Sequence, residues 1–414
     1  MRRTRFNNGA TLLTRDMPMS SSVSIEVILR AGSAAETHGE YGAAHLLEHI
    51  MMRGTGSAAA SRADAFDRMA SHPTAHTFKE HIRLAATVPF EASDFGVGSL
   101  LEMMSTPATQ GTVFDAERAA VDLELAQMSG NDIARAVLAT EASIFASTAF
   151  ARPAGGTRED IKSLDLSNLN AYRSRALVAS NMIIAASGRV NHSAIADAVE
   201  MRLQGLAPRA ALPAQREKSK TFASKSIEMT SGSDVSTVVV GFHAPPARSS
   251  ETDVVRVLDC LLSGGHGSHL HRTLRLQRAI AYSTDSTYSR HSNAGSLILY
   301  ARIAHSNREE VAENLLQSMH DIANGRFSDS DLDRAKHYLY SGTIVSRDDN
   351  SRVARSIGLS ELLGTHCAHS RVTLEKVAGV SADDLAVVAA KILDSGHCTV
   401  VIGAPRARSE NERR

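Results

Sequence analysis

The stretch Val23-Ser-Ile-Glu-Val-Ile-Leu-Arg-Ala-Gly32 is an apolar, β-branched run closed by glycine, and a comparable run, Ser236-Thr-Val-Val-Val-Gly-Phe-His-Ala-Pro245, stands 213 residues further on. Both read as strands. The same offset carries Phe114, which opens FDAERAAVDLELAQM, onto Phe327, which opens FSDSDLDRAKHYLYSG. Both of these read as helices, with an Asp or Ser cap just after the Phe and apolar residues three and four apart. Between the landmarks each copy runs strand, loop, helix, loop, strand, helix, helix, so the chain reads as two copies of one α+β unit. Strands and helices do not alternate strictly, which predicts mostly antiparallel sheets with helices packed on one face. The expected division is a first domain over 1–205, a linker over 206–222 and a second domain over 223–414. Two prolines and a charged run within Leu206–Lys220 break any regular pattern there.

Composition narrows the function. Lys+Arg and Asp+Glu number 45 each in 414 residues, and no basic stripe offers itself to a phosphate backbone, so nucleic acid is not an expected partner. Cys260, Cys367 and Cys398 are odd in number, far apart and in no CxxC spacing, which suits unpaired thiols in a reducing compartment. The basic N-terminus meets Asn7, Asn8 and Gly9 without the apolar run of a signal peptide. No stretch approaches the roughly 18 apolar residues of a membrane span. The expectations are therefore a cytoplasmic location, no membrane partner, and a charged tail, ARSENERR, that frays in solvent.

Chemistry concentrates in Gly42-Ala-Ala-His45-Leu-Leu-Glu48-His49-Ile-Met-Met, which reads as a helix. His45 and His49 are four apart and rise from successive turns, so their imidazoles can converge on one metal ion, with Glu48 beside them. Neutral imidazole and carboxylate suit zinc, and a hydrolytic zinc needs three protein ligands and a water. Read alone, the pattern fits either a zinc site or a set of satisfied histidines. A third ligand would come from Glu117 or Glu124, seven apart on one side of the helix after Phe114, unless that side is merely solvated. At the offset of 213, His45, Glu48 and His49 fall on Leu258, Leu261 and Leu262. A helix that packs with three leucines does not need His and Glu for its fold.

These residues resemble the pitrilysin or insulinase family of zinc peptidases, the inverted HxxEH zincins, which include mitochondrial processing peptidase subunits and short bacterial relatives. The resemblance spans nearly the whole chain. It rests on GAAHLLEHIMMRGT, on FDAERAAVDLE with 75 residues from His49 to Glu124, on ARPAGGTREDIKSLDLSNLNAYRSRALVASNMIIAASGRV and on LSGGHGSHLHRTLRLQRAIAYS. It implies one zinc per chain on His45, His49 and Glu124, Glu48 as the general base that activates the metal's water, and Glu117 as a carboxylate that orients a ligand histidine. It also implies Arg275 and Tyr282 as a pair that contacts the substrate backbone and the oxyanion, the plain reading of Tyr282 being a half-buried aromatic. The edge strand that pairs with substrate falls at Thr74 and Ala75, where Thr74 replaces the family's usual Asn and Pro73 removes a donor. The acidic pair that reads presequence arginines falls on Ala134 and Leu138, so presequence specificity is not implied. Cys367, between His366 and His369, reads as a surface turn and not as a second metal site.

The function so implied is a zinc-dependent endopeptidase that cuts short unfolded peptides inside a clamshell chamber. A chain of this length makes half of such a chamber, which predicts a homodimer, or a heterodimer with a homologous subunit. The alternatives are a subunit of a heterodimeric processing peptidase that trims leader peptides and a non-catalytic structural partner subunit.

Overall fold

A computed structural model describes residues 1–54, 56–104, 111–206, 209–213, 222–304, 307–367 and 370–404. Most of the expected linker, the 405–414 tail and His369 lie outside the described residues. Two mixed, mostly antiparallel sheets organise the rest. The first has the order β1-β2-β6-β3-β5-β4, built from β1 (Arg2–Arg5), β2 (Thr11–Asp16), β3 (Ser22–Leu29), β4 (Thr74–Thr77), β5 (Ile82–Pro89) and β6 (Met182–Gly188). The second has the order β7-β11-β8-β10-β9, from β7 (Lys225–Thr230), β8 (Val235–His243), β9 (Ala281–Arg290), β10 (Gly295–Ala304) and β11 (His397–Gly403). Each contains one parallel pair, β2 with β6 and β11 with β7.

The repeat persists in three dimensions. β3 and β8 start 213 residues apart, as do β5 and β10, and the chain is α+β as expected. The helices are α1 (Ala43–Arg53), α2 (Gly56–Arg68), α3 (Ser93–Met104), α4 (Gly111–Met128), α5 (Asp132–Ile144), α6 (Arg158–Ser163), α7 (Leu166–Ala176), α8 (His192–Leu203), α9 (Thr252–Ser263), α10 (Arg308–Ala323), α11 (Asp329–Val345), α12 (Asn350–Leu363), α13 (Arg371–Gly379) and α14 (Ala382–Asp394). Among the described residues, no helix is long and apolar enough to cross a membrane.

β3 is buried at every residue but Ser22, β6 throughout, and β8 at every residue but Val235. Strands apolar on both faces need cover on both. On one face of the first sheet, Ile25, Val27 and Leu29 pack with Leu46, Leu47 and Ile50 of α1 and with apolar residues of α3, α7 and α8. The other face is covered too, which corrects the expectation of helices on one face only. Leu13, Ile28, Ile183 and Ala185 pack with Ile357 and Leu362 of α12. In the second sheet, α9, α10 and α14 cover one face, while Ala136 and Ile144 of α5 meet Val239, Ile298 and Val400 on the other.

The compact units therefore cut across the two continuous runs that the repeat suggests. One gathers 1–127, 152–216 and 342–373, and the other gathers 128–151, 217–341 and 374–414. Shifted by 213, α5 falls on 345–357, over the start of α12, so the same element of each copy covers the sheet of the other copy. Both contacts require a missing side chain. A Cβ on Gly358 of α12 would lie 2.7 Å from Ile28 Cδ1, and one on Gly241 of β8 would lie 2.2 Å from Thr140 Cγ2 of α5. Ile28 and Gly241 are repeat equivalents, so large and small have changed places between strand and helix. Interiors this closely packed admit no extra methyl without a shift.

Candidate metal centre

Helix α1 starts on a buried carboxylate. Glu36 Oε1 accepts the Ala44 N–H at 2.8 Å and Oε2 accepts the Gly42 N–H at 3.1 Å, satisfying donors that a helix N-terminus leaves open. Burial pushes the Glu36 carboxyl up to about 8, against the two N–H groups that favour its charged form. The unfolded chain releases that proton near the ordinary value of 4.5, so the native state holds one proton more between those limits and stability falls as pH rises from about 4.5 to 8. Glu36→Gln is expected to flatten this slope. Urea titrations of the metal-free protein at pH 5 and pH 8 check it, and equal slopes in variant and wild type would place the titration elsewhere.

α1 then presents two imidazoles whose ring centroids are 4.9 Å apart at 81°. His45 is buried and His49 half-buried. Burial, and then the neighbouring His49, hold the His45 pKa down, which favours the neutral ligand form. His45 Nδ1 lies 3.3 Å from the Gly155 carbonyl oxygen, a contact that turns Nε2 toward the cluster and fixes the tautomer. A Cβ at 155 would stand 3.2 Å from that nitrogen, so a larger residue there would press on the His45 ring.

α4 brings Glu124 to the pair. Its Oε2 is 3.6 Å from His45 Nε2 and 3.3 Å from His49 Nε2. The three donor atoms lie within 4.8 Å of one another, and this is the one such group of three among the described residues. Two imidazole nitrogens and a carboxylate oxygen at this spacing fit a small ion bonded at about 2.0–2.2 Å, the donor set and reach of a zinc site with an open position. Nearly two turns before Glu124, Glu117 accepts from Arg53 Nη1 at 2.6 Å through Oε1 and faces His49 Nδ1 at 3.4 Å through Oε2. That carboxylate meets the ring nitrogen of His49 turned away from Glu124.

Glu48 is held from another direction. Thr77 Oγ1 of β4 donates to Glu48 Oε2 at 2.6 Å. Among the described residues, β4 is the last strand of its sheet and pairs with β5 alone. Alternation along the strand puts Ala75 and Thr77 on the α1 side, where Ala75 packs against the core. Thr74 is exposed on the opposite face.

Arg275 and Tyr282 meet in the second unit, the guanidinium carbon 5.9 Å from the ring centroid. Tyr282 is 73% exposed, not half-buried. It is the extra residue of a bulge in β9, because Arg302 pairs with Ser283 and Ile303 with Ala281. In the second copy Leu258, Leu261 and Leu262 are fully buried where the first has His45, Glu48 and His49. Cys367 is half-buried, 3.3 Å from Ser356 Oγ, and packs beside the α12 core. Sequence reasoning missed Glu36, Thr77 and Gly155. Glu36 and Thr77 are short polar signals flanking the HxxEH helix and its following strand, and Gly155 is one glycine of a Gly-Gly pair.

Comparisons with known proteins agree with this geometry. Residues 11–157 match the family model of insulinase, peptidase family M16, and residues 163–339 match that of the peptidase M16 inactive domain. A Rickettsia felis protein named as an uncharacterized zinc protease is 25% identical over 409 residues, 96% of each chain. A Streptomyces coelicolor protein of the same description is 25% identical over 417 residues, 97% of this chain and 89% of its own. Among solved structures, a protease from Helicobacter pylori superposes with a TM-score of 0.90 at 18% identity, covering 97% of this chain and 98% of that one. A chain of complex III2 from Candida albicans does so with a TM-score of 0.84 at 17% identity, covering 100% and 98%. The last two share the fold. With both halves matched by models of one family, and His45 and His49 of the zinc motif drawn together with Glu124, the chain belongs to the insulinase family of zinc proteases, M16.

Proposed function

We propose that this zinc protease is an endopeptidase that cuts short, extended peptides, with His45, His49 and Glu124 as the zinc ligands and Glu48 as the general base. The observation that carries the reading is the placement of Glu48, bonded to the edge strand through Thr77 and next to His49 on α1, whose two histidines form the donor group with Glu124. Zinc, when bound, supplies Lewis acidity toward the scissile carbonyl and lowers the pKa of water. Glu48 takes the proton of the attacking water and returns it to the leaving amine, and the Thr77 hydroxyl keeps the carboxylate from swinging away. Glu117 holds the His49 ring through its far nitrogen. The free edge of β4 offers main-chain groups to an extended substrate, which side-chain changes at Thr74 do not remove. Native globular proteins keep most of their main chain paired, so few of them offer an extended segment to that edge.

The purified protein incubated with a mixed peptide library, with and without a zinc chelator, tests the reading. Cuts in unfolded peptides that vanish with chelation, and no cuts in native globular proteins, are expected. Absence of chelator-sensitive cleavage overturns it in favour of a non-catalytic partner subunit.

We further propose a homodimer that closes as a clamshell, in which Arg275 and Tyr282 of one protomer complete the site of the other, Tyr282 donating to the oxyanion. Mixing Glu48→Gln with Tyr282→Phe protein then assembles one intact site per mixed dimer. Activity rising toward half the wild-type value per mixed dimer is the expected outcome once subunit exchange is confirmed by mass. No recovery would leave Tyr282 acting within its own chain, or point to a heterodimer with a homologous subunit.

A further inference from the structure

The face of the first sheet that lies under α12 carries a line of charge with no part in the chemistry above. Glu26 sits in the middle of apolar β3 and is 1% exposed, and Arg83 on β5 is 5% exposed. The register places Ile28 opposite Arg83 and His76 of β4 opposite it on the other side. Glu26, two residues from Ile28, is therefore the diagonal neighbour of Arg83 on the same face. Arg83 Nη1 stands 3.4 Å from Glu26 Oε1, and Arg83 Nη2 donates to His76 Nδ1 at 3.1 Å. Arg355 Nε of α12 approaches the same Glu26 oxygen at 3.5 Å. Among the described residues, Glu26 Oε2 and Arg83 Nε are buried without a hydrogen-bond partner.

A buried ion pair left partly unsatisfied is a poor source of stability, since apolar residues of similar volume commonly do as well or better. Its use has to be looked for in what it touches, and that is the edge strand. β4 has four residues and one neighbour, the kind of segment that opens first. Two anchors on successive residues hold it from opposite faces, Thr77 through Glu48 and His76 through Arg83. Burial, and next the charge of Arg83, hold the His76 pKa down, in keeping with a neutral ring whose Nδ1 accepts.

We propose that Arg83, braced by Glu26, is a positioning residue that fixes the substrate-docking edge of β4 through His76. The inference rests on the reading of β4 as the docking strand. It acts on the binding of the peptide main chain and leaves the metal donors and Glu48 alone.

Arg83→Met, Arg83→Lys and His76→Ala test it on two substrates, an extended peptide of about eight residues and a blocked peptide too short to pair along the edge. Arg83→Met is expected to raise KM for the long peptide about tenfold, with kcat within about twofold and KM for the short one unchanged, the pattern of lost uniform binding. Zinc content should hold, and amide exchange over residues 74–76 should quicken, while Thr77 stays held through Glu48. Arg83→Lys should recover part of the loss. His76→Ala, a change at an exposed side chain that does not threaten the core, should shift KM the same way even where Arg83→Met fails to fold. Equal losses on both substrates, a fall in kcat at constant KM, or an unchanged KM in His76→Ala would overturn the inference. Long peptides N-methylated at alternate amides separate it from the reading beneath it. Insensitivity of the wild type to methylation overturns edge docking and the inference together, whereas sensitivity of the wild type with no change in the variants overturns the inference alone.

Discussion

Glu48→Gln is expected to keep zinc and fold while turnover falls by roughly a hundred to ten thousand fold, the range that general-base catalysis contributes. The amide is close in shape to the carboxylate, so the Thr77 hydroxyl still finds an oxygen and α1 is not disturbed. What it loses is the ability to take a proton. Glu48 is also not one of the three donors within 4.8 Å of each other, so metal content separates this lesion from a ligand lesion. Steady-state hydrolysis of a fluorogenic peptide, beside elemental analysis of the same sample, makes the measurement. Undiminished activity would remove Glu48 from the proton path, and loss of zinc would move it into the ligand set.

Glu124→Gln is expected to do the opposite, stripping zinc first and activity with it. Glu124 is the one anion among the three donors, and its Oε2 is the atom that both histidine Nε2 atoms approach. Exchange for a neutral amide removes a charge that the divalent ion needs and leaves two imidazoles four residues apart. The loss of affinity should exceed the 10–100-fold typical of changes to groups that only orient ligands. Competition against a chromogenic chelator measures it, with Glu117→Gln as the milder reference. Stoichiometric zinc in Glu124→Gln after dialysis would exclude this carboxylate from the metal.

How much of this could be read from residues alone depended on distance along the chain. The HxxEH helix and its leucine counterpart in the second copy are local patterns, since three and four residue spacings decide which side chains share a face. The repeat read from the β3 and β8 runs holds in the structure, where β5 and β10, not singled out in the sequence, keep the same offset. Glu124 needed the resemblance, because nothing local distinguishes it from a solvated glutamate. Glu36, Thr77 and Gly155 escaped, because each acts through a loop or strand partner that periodicity does not encode. Arg83 and Glu26 escaped for a different reason. Each is a single charge in a run that reads as buried strand, and only the register shows that they face one another. The cover of each sheet's second face by α12 and α5 was not foreseen, because helices were expected on one face only; the signal for it is that β3 and β8 are apolar on both faces.

That exchange of helices has a consequence for synthesis. The apolar residues Leu13, Ile28, Ile183 and Ala185 are complete on the first sheet once β6 has been made, yet Ile357 and Leu362, which cover them, lie far downstream. At ribosomal speeds of about 5–20 residues per second, the sheet waits roughly ten to thirty-five seconds for its cover. During that wait a nascent chain shows a sticky surface and attracts chaperones. The same logic applies to fragments. A piece ending near residue 205 carries the metal donors, yet it lacks α12 and should be insoluble alone, and soluble only when co-expressed with the remaining chain.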